Sequence, residues 1–275
     1  MSSPDELIVV LNAAGLGQKF RSSQNTLTPI LKKQLTEICH LRLNSRKLST
    51  LPDLNLTPNL TTLYLYENLL NFLKLQYLRN LENLYIQKNS LCIFPSTLPL
   101  RKLRILDISE NCLENLDEWT VDKDLQLVLE RINLADQKAN CPLLISMSWL
   151  HPLIDCLIEI DVSGNIIDSL EPLSVLKKLQ VLIADRNKVE KIEKVVWWAK
   201  SEMCPWPNLT ELSLSGNPLS AGLGERRLRD VAIEQFPKIF LVNGVPVMDN
   251  ERRFLTDRSA RKQERAKLWV SLLAE

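Results

Sequence analysis

The sequence predicts an α/β solenoid, with a curved sheet of short parallel strands on one side and 3₁₀ or short helical turns on the other. Three observations predict it. First, the stretch "LTTLYLYENLL" from Leu60 recurs as "LENLYIQKNSL" from Leu81, "LRILDISENCL" from Leu103, "LIEIDVSGNII" from Leu157, "LQVLIADRNKV" from Leu179 and "LTELSLSGNPL" from Leu209. Second, every copy sets aliphatic residues at positions 1, 4 and 11, an aliphatic or small residue at position 6, and asparagine at position 9. Third, two looser copies, "ICHLRLNSRKL" from Ile38 and "LERINLADQKA" from Leu129, fill the gaps, so that successive copies start 21 to 30 residues apart.

This pattern, L-x-x-L-x-L-x-x-N-x-L, is the leucine-rich-repeat signature. On a strand, positions 4 and 6 point to one face and positions 3, 5 and 7 to the other. One repeat cannot bury its leucines alone, so stacked repeats must share a continuous core. The position-9 asparagine falls where the chain turns, and its amide can donate to and accept from backbone groups of adjacent turns. Gln137 stands at that position in one loose copy and can make similar bonds only by rearranging its longer arm, whereas Arg46 stands there in the first copy.

Taken in order, residues 1–35 are expected to form an N-terminal helical cap, with helices over "PDELIVVLNAAG" and "LTPILKKQLTEI" and a linker at 18–27 between them. About eight repeats fill 36–220. The short period leaves room for one 3₁₀ turn on the outer face. The longer copies add a helix at "LLISMSWLHPLIDCL" (143–157), broken at Pro152, and one at "KVVWWAKSEMCPWPNL" (194–209). Residues 221–248 form a C-terminal cap, a helix followed by a partial ninth strand in which Phe236, Ile239 and Leu241 take positions 1, 4 and 6. Residues 249–275 read as a charged helix that packs Phe254 and Leu255 against the cap, or serves as a partner-binding tail.

The exposed strand face carries the candidate site. Tyr64, Tyr66 and Tyr85 place three tyrosines in two consecutive repeats, more than solvent-facing polarity alone would choose. Tyrosine offers a large contact area with a polar tip and is enriched at interfaces. Glu67, Asp107, Glu110, Asp136, Glu159, Asp161, Asp185 and Glu211 make the middle and later face acidic, which suggests a partner with a basic patch.

Composition removes other classes. The net charge of +1 argues against a protein held mainly by nucleic acid or an anionic membrane. Seven glycines and two histidines leave little for phosphate loops, metal sites or acid–base chemistry. Gly15 and Gly17 lack the third glycine and the βαβ unit of a dinucleotide site. Neither a catalytic activity, a cofactor, a metal nor a small-molecule substrate is expected. The six cysteines are scattered with no C-x-x-C pair, and read as buried free thiols in a reducing compartment. The N-terminus reads as neither signal peptide nor membrane span, so the sequons at Asn55, Asn59 and Asn208 read as chance. Lys194-Val195-Val196-Trp197 fits a short phosphatase-docking pattern but also the apolar face of an outer helix.

Over residues 36–248 the chain resembles the SDS22-like leucine-rich repeats. Within them it is similar to a protein phosphatase 1 regulatory subunit of the testis-enriched, centrosome- and cilium-associated type. The residues carrying this are the two tyrosine repeats, the irregular "LERINLADQ", the later "LIEIDVSGNIIDSLEPLSVLKKLQVLIADRNKV", and "LTELSLSGNPL" leading into the cap. The resemblance implies a cytoplasmic regulator that binds the phosphatase catalytic subunit and associates with tubulin, dynein or centrosomal structures. Two alternatives are a ciliary dynein component, similar to the leucine-rich dynein light chains, and a ribonucleoprotein scaffold.

Overall fold

The computed structural model describes residues 4–73, 75, 77–93, 100–114, 127–138, 143–190, 206–221 and 223–272. The order of elements is α1 (Pro4–Ala13), α2 (Gly17–Ser22), α3 (Pro29–Thr36), β1 (His40–Arg42), β2 (Thr62–Tyr64), β3 (Asn83–Tyr85), β4 (Ile105–Asp107), β5 (Arg131–Asn133), α4 (Met147–Leu150), β6 (Glu159–Asp161), β7 (Val181–Ile183), β8 (Glu211–Ser213), α5 (Leu223–Gln235), β9 (Leu241–Val242), β10 (Val245–Pro246) and α6 (Asp249–Leu272). The ten strands form one sheet in sequence order. Strands β1 to β9 are parallel, with equivalent repeat positions side by side: Leu41 beside Leu63, Leu63 beside Leu84, Leu84 beside Leu106.

The core is a stack of these central residues. Leu41, Leu63, Leu84, Ile160, Leu182 and Leu212 are fully buried, as are the position-6 residues Leu43, Leu65, Ile86, Ile108, Leu134, Val162, Ala184 and Leu214. Each such side chain except the small Ala184 contributes about 1.5–3 kcal/mol on burial, but only against the turns on either side. On the outer side, 3₁₀ turns occupy Leu100–Lys102, Glu171–Val175 and Pro218–Ser220. The insertion before β6 is the single turn α4 followed by a 3₁₀ turn at His151–Leu153, with Pro152 in its first positions. The helix expected at 194–209 lies outside the described residues as far as Cys204 and Pro205, as does Lys194-Val195-Val196-Trp197. Trp206 is described. It is buried, its indole N–H bonds the Leu173 carbonyl at 2.9 Å, and its ring lies 6.1 Å from Phe236.

The asparagine positions act as expected. Asn68 accepts from Arg46 N and Leu48 N, both at 3.0 Å, and donates to the Leu43 and Leu65 carbonyls at 2.9 and 2.8 Å. Asn89, Asn111, Asn165, Asn187 and Asn217 repeat the pattern and are all buried. Gln137 makes the same set, accepting from Leu113 N and donating to Ile108 O and Leu134 O at 3.1–3.2 Å.

The ends bring three corrections. Residues 18–27 are not a linker throughout. Helix α2 occupies 17–22, because Phe20 is buried together with Val10, Leu11, Leu31 and Leu35 to cover the open end of the core. The ninth strand is shifted from its expected register. Leu212 pairs with Val242, so Val242 holds position 4 and Ile239 position 1, both buried. The cause is the Asn243-Gly244 turn, with φ of 50° and 72°, which reverses the chain into β10 right after Val242. On α6, Leu255 is buried but Phe254 is 61% exposed. Adjacent helical residues point about 100° apart, so only one of them can face α5. That interface is completed by Arg229 to Glu251 at 2.7 Å and Arg258 to Asp230 and Glu234 at 3.0 Å.

Candidate functional site

Strands of three residues leave few side chains on the concave face, so the site is built from rows running across repeats. In the position-5 row, Arg42, Tyr64 and Tyr85 end three adjacent strands. Parallel pairing holds equivalent residues about 4.8 Å apart, and flat rings at that spacing stack. The Tyr64 and Tyr85 centroids are 5.0 Å apart with planes 5° from parallel, and the Arg42 guanidinium carbon lies 5.5 Å from the Tyr64 centroid. Each contact contributes on the order of 0.5–1.5 kcal/mol, and together they hold a half-exposed aromatic surface in one orientation. Partial burial is the main cause that lifts the Tyr85 hydroxyl above the usual tyrosine range, with Tyr64 and Asp107 adding to it. Tyr66, two residues on from Tyr64, is half-buried.

The same row continues through Asp107, Asn133 and Asp161. These residues are partly structural. Asp107 Oδ1 accepts from Ser109 N at 3.1 Å and Ser109 Oγ at 2.7 Å, and Asp161 Oδ1 accepts from Ser163 N at 2.9 Å and Ser163 Oγ at 2.6 Å. Asn133 accepts from Ala135 N in the same way at 3.0 Å. Asp185 ties β7 to β8, taking Ser213 Oγ and Ser215 N, both at 2.7 Å. Burial pushes the Asp161 carboxyl up, against the Ser163 hydrogen bonds and with help from Asp185 and Asp136. Glu211 is also raised, by burial, then Glu159 and Asp185. The later face therefore concentrates negative charge that the fold does not fully compensate.

At position 8 the acidic reading needs correction. Glu67, Glu110 and Asp136 share their row with two cations, Lys88 and Arg186. Lys88 lies 3.6 Å from Glu67 and 3.9 Å from Glu110, and Arg186 reaches Asp136 through one nitrogen at 2.9 and 2.8 Å. Glu159 likewise meets Arg131 at 3.3 Å. Lys88 and Arg186 are surface residues that sequence reasoning passed over, although they occupy the same repeat position as the acids. The backbone is special there too. Ser45, Glu67, Lys88, Glu110, Asp136, Gly164, Arg186 and Gly216 all have φ between 51° and 70°. The two "SGN" copies were the available signal, since glycine adopts this region without strain. At Gly164 a Cβ would lie 2.1 Å from Asp136 Oδ1, so the glycine also clears the path by which Arg186 spans to Asp136.

The structure thus stacks Tyr64 on Tyr85 near the start of the sheet, with Tyr66 two residues on from Tyr64, and brings Asp161, Asp185 and Glu211 into one anionic region toward its end. The pairing order places Asp107 between the two. Glu67, Glu110, Asp136 and Glu159 are ion-paired members of their rows, with Lys88 shared between Glu67 and Glu110. His40 begins β1 and His151 lies in the outer turn after α4, so they share no site. Among the described residues no group of His, Cys, Asp and Glu is arranged to hold a metal ion, and no helix is long and apolar enough to cross a membrane. A cavity of about 290 Å³ opens elsewhere, between Glu6 of α1 and the outer loops at Pro52 and Tyr77.

No family model matches the chain. Among solved structures it is similar to a leucine-rich-repeat protein of Leptospira interrogans, with 26% identity, a TM-score of 0.56 and coverage of 78% of this chain and 50% of that one. It is also similar to the internalin InlF of Listeria monocytogenes, with 18% identity, a TM-score of 0.52 and coverage of 88% of this chain and 71% of that one. The chain therefore spans only half the length of the first of these. With the repeat pattern, the in-register parallel sheet and the asparagine ladder, they establish the fold of the chain as a leucine-rich-repeat solenoid.

Proposed function

We propose that the chain is a non-enzymatic regulator that binds a protein on its concave sheet, and that this partner is the catalytic subunit of protein phosphatase 1. The observation that carries the docking face is the preassembled Arg42–Tyr64–Tyr85 stack, which offers rigid aromatic area without further ordering cost. The carboxylates of Asp161, Asp185 and Glu211, with Asp185 close enough to raise the other two, favour a partner that presents a basic patch. Nine parallel strands at about 4.8 Å spacing provide a width compatible with a standard interface of about 1,600 Å². The choice of phosphatase rests on the resemblance to SDS22-like repeats, which also implies action in the cytoplasm at centrosomal or ciliary structures.

Titration of the full chain against the purified phosphatase catalytic subunit tests this. Binding is expected, and Tyr64→Ala with Tyr85→Ala should weaken it by at least about thirtyfold, as loss of a hot spot worth about 2 kcal/mol does. No binding would remove the phosphatase as the partner. Unchanged binding by the double variant would remove the aromatic patch as the contact.

A further inference from the structure

Along the sequence the cysteines are scattered, yet the repeat period brings two of them together. Cys92 follows the position-11 residue Leu91 of one repeat, and Cys112 holds position 10 of the next. The Cys112 N–H donates to the Leu91 carbonyl at 2.9 Å, which sets the two cysteines on adjacent hydrogen-bonded turns. Neighbouring chains so paired lie about 4.8 Å apart, within the Cα separation of roughly 4.4–6.8 Å that a disulfide spans. Burial is the main cause that raises the Cys112 thiol, and the nearby Cys92 thiol adds to it. Cys92 is exposed and Cys112 half-buried, and both are free thiols. None of the four described cysteines is fully buried, which corrects the expectation of interior thiols. Cys39 is exposed near the start of β1, and Cys156 is half-buried, its thiol pushed up to about 11 chiefly by burial.

We propose that Cys92 and Cys112 form a dithiol modification site that takes glutathione disulfide as its oxidant and closes to an intramolecular disulfide. The exposed Cys92 thiolate attacks one glutathione sulfur, forming a mixed disulfide and releasing one glutathione thiolate. The Cys112 thiolate then attacks Cys92 Sγ, forming the Cys92–Cys112 bond and releasing the second glutathione. The protein loses two thiol protons and two electrons, and one glutathione disulfide becomes two glutathiones. The product links consecutive repeats close to β3 and β4, the strands that carry Tyr85 and Asp107. This site is independent of the protein-binding face.

The test equilibrates the folded full chain with graded ratios of glutathione to glutathione disulfide, alkylates the remaining thiols, and maps the digested peptides by mass spectrometry. A peptide linked through Cys92 and Cys112 should accumulate as the ratio becomes oxidising and vanish on reduction. Cys112→Ser should instead retain glutathione on Cys92, and Cys92→Ser, at an exposed position, should lose the link with its fold intact. Oxidised wild-type protein should melt at a higher temperature than the reduced form, a difference absent in Cys92→Ser. The proposal is overturned if both cysteines alkylate under oxidising conditions, if they carry only separate glutathione adducts, or if the link appears only after unfolding in urea.

Discussion

Replacing Asn111 with alanine probes the ladder on which every repeat depends. Asn111 is fully buried; its Oδ1 accepts from Leu91 N at 3.1 Å, and its Nδ2 donates to Ile86 O at 3.1 Å and Ile108 O at 2.9 Å. The two carbonyls keep a second donor each, Asn89 Nδ2 at 2.9 Å on Ile86 O and Gln137 Nε2 at 3.1 Å on Ile108 O. Only the Leu91 N–H is left orphaned. An unsatisfied buried donor costs about 1–3 kcal/mol, and each of the two lost bonds contributes a net 0.5–1.5 kcal/mol, so the expected loss is about 2–6 kcal/mol, centred near 4. Urea denaturation followed by circular dichroism measures it, with Asn44→Ala as the control. Asn44 is half-exposed and bonds only its neighbour Ser45 at 3.4 Å, so the control should change stability by less than about 0.5 kcal/mol. If Asn111→Ala costs less than about 1 kcal/mol, no more than the control, then the amide ladder is not what satisfies the turn and the reasoning fails.

Asp161→Asn should raise the melting temperature at neutral pH. The carboxyl is lifted above its usual 3.8 by burial first and by Asp185 and Asp136 after it, so ionisation works against the fold; wild-type stability declines as pH rises from 3.8 through the raised value, and the amide removes that decline. Asn133 shows that an amide can serve the same turn, and a gain that persists undiminished below pH 3.8 in melting curves would contradict this account. Gly164→Ala should cost about 1–2 kcal/mol for the left-handed backbone at φ +66°, plus displacement of Asp136. Adding Asp136→Ala should recover part of that loss in a double-mutant cycle, and strict additivity would show that the two residues do not collide.

The amino-acid sequence by itself determined the repeat, the parallel sheet, the buried face and the asparagine ladder, because each depends on a spacing that one chain segment displays alone. It likewise placed Tyr64, Tyr66 and Tyr85 on the open face, since strand alternation assigns sides without reference to neighbours. What it could not decide were relations across turns. Lys88 and Arg186 pair with acids one and two repeats away, Cys92 and Cys112 fall on adjacent hydrogen-bonded turns, and the Tyr64 and Tyr85 rings lie parallel. Those pairings follow from lateral register, which stacking sets at about 4.8 Å. The C-terminal strand shows the same division. Ile239 and Leu241 alternate plausibly in the sequence, but pairing with β8 and the Asn243-Gly244 reversal put Val242 in the core instead.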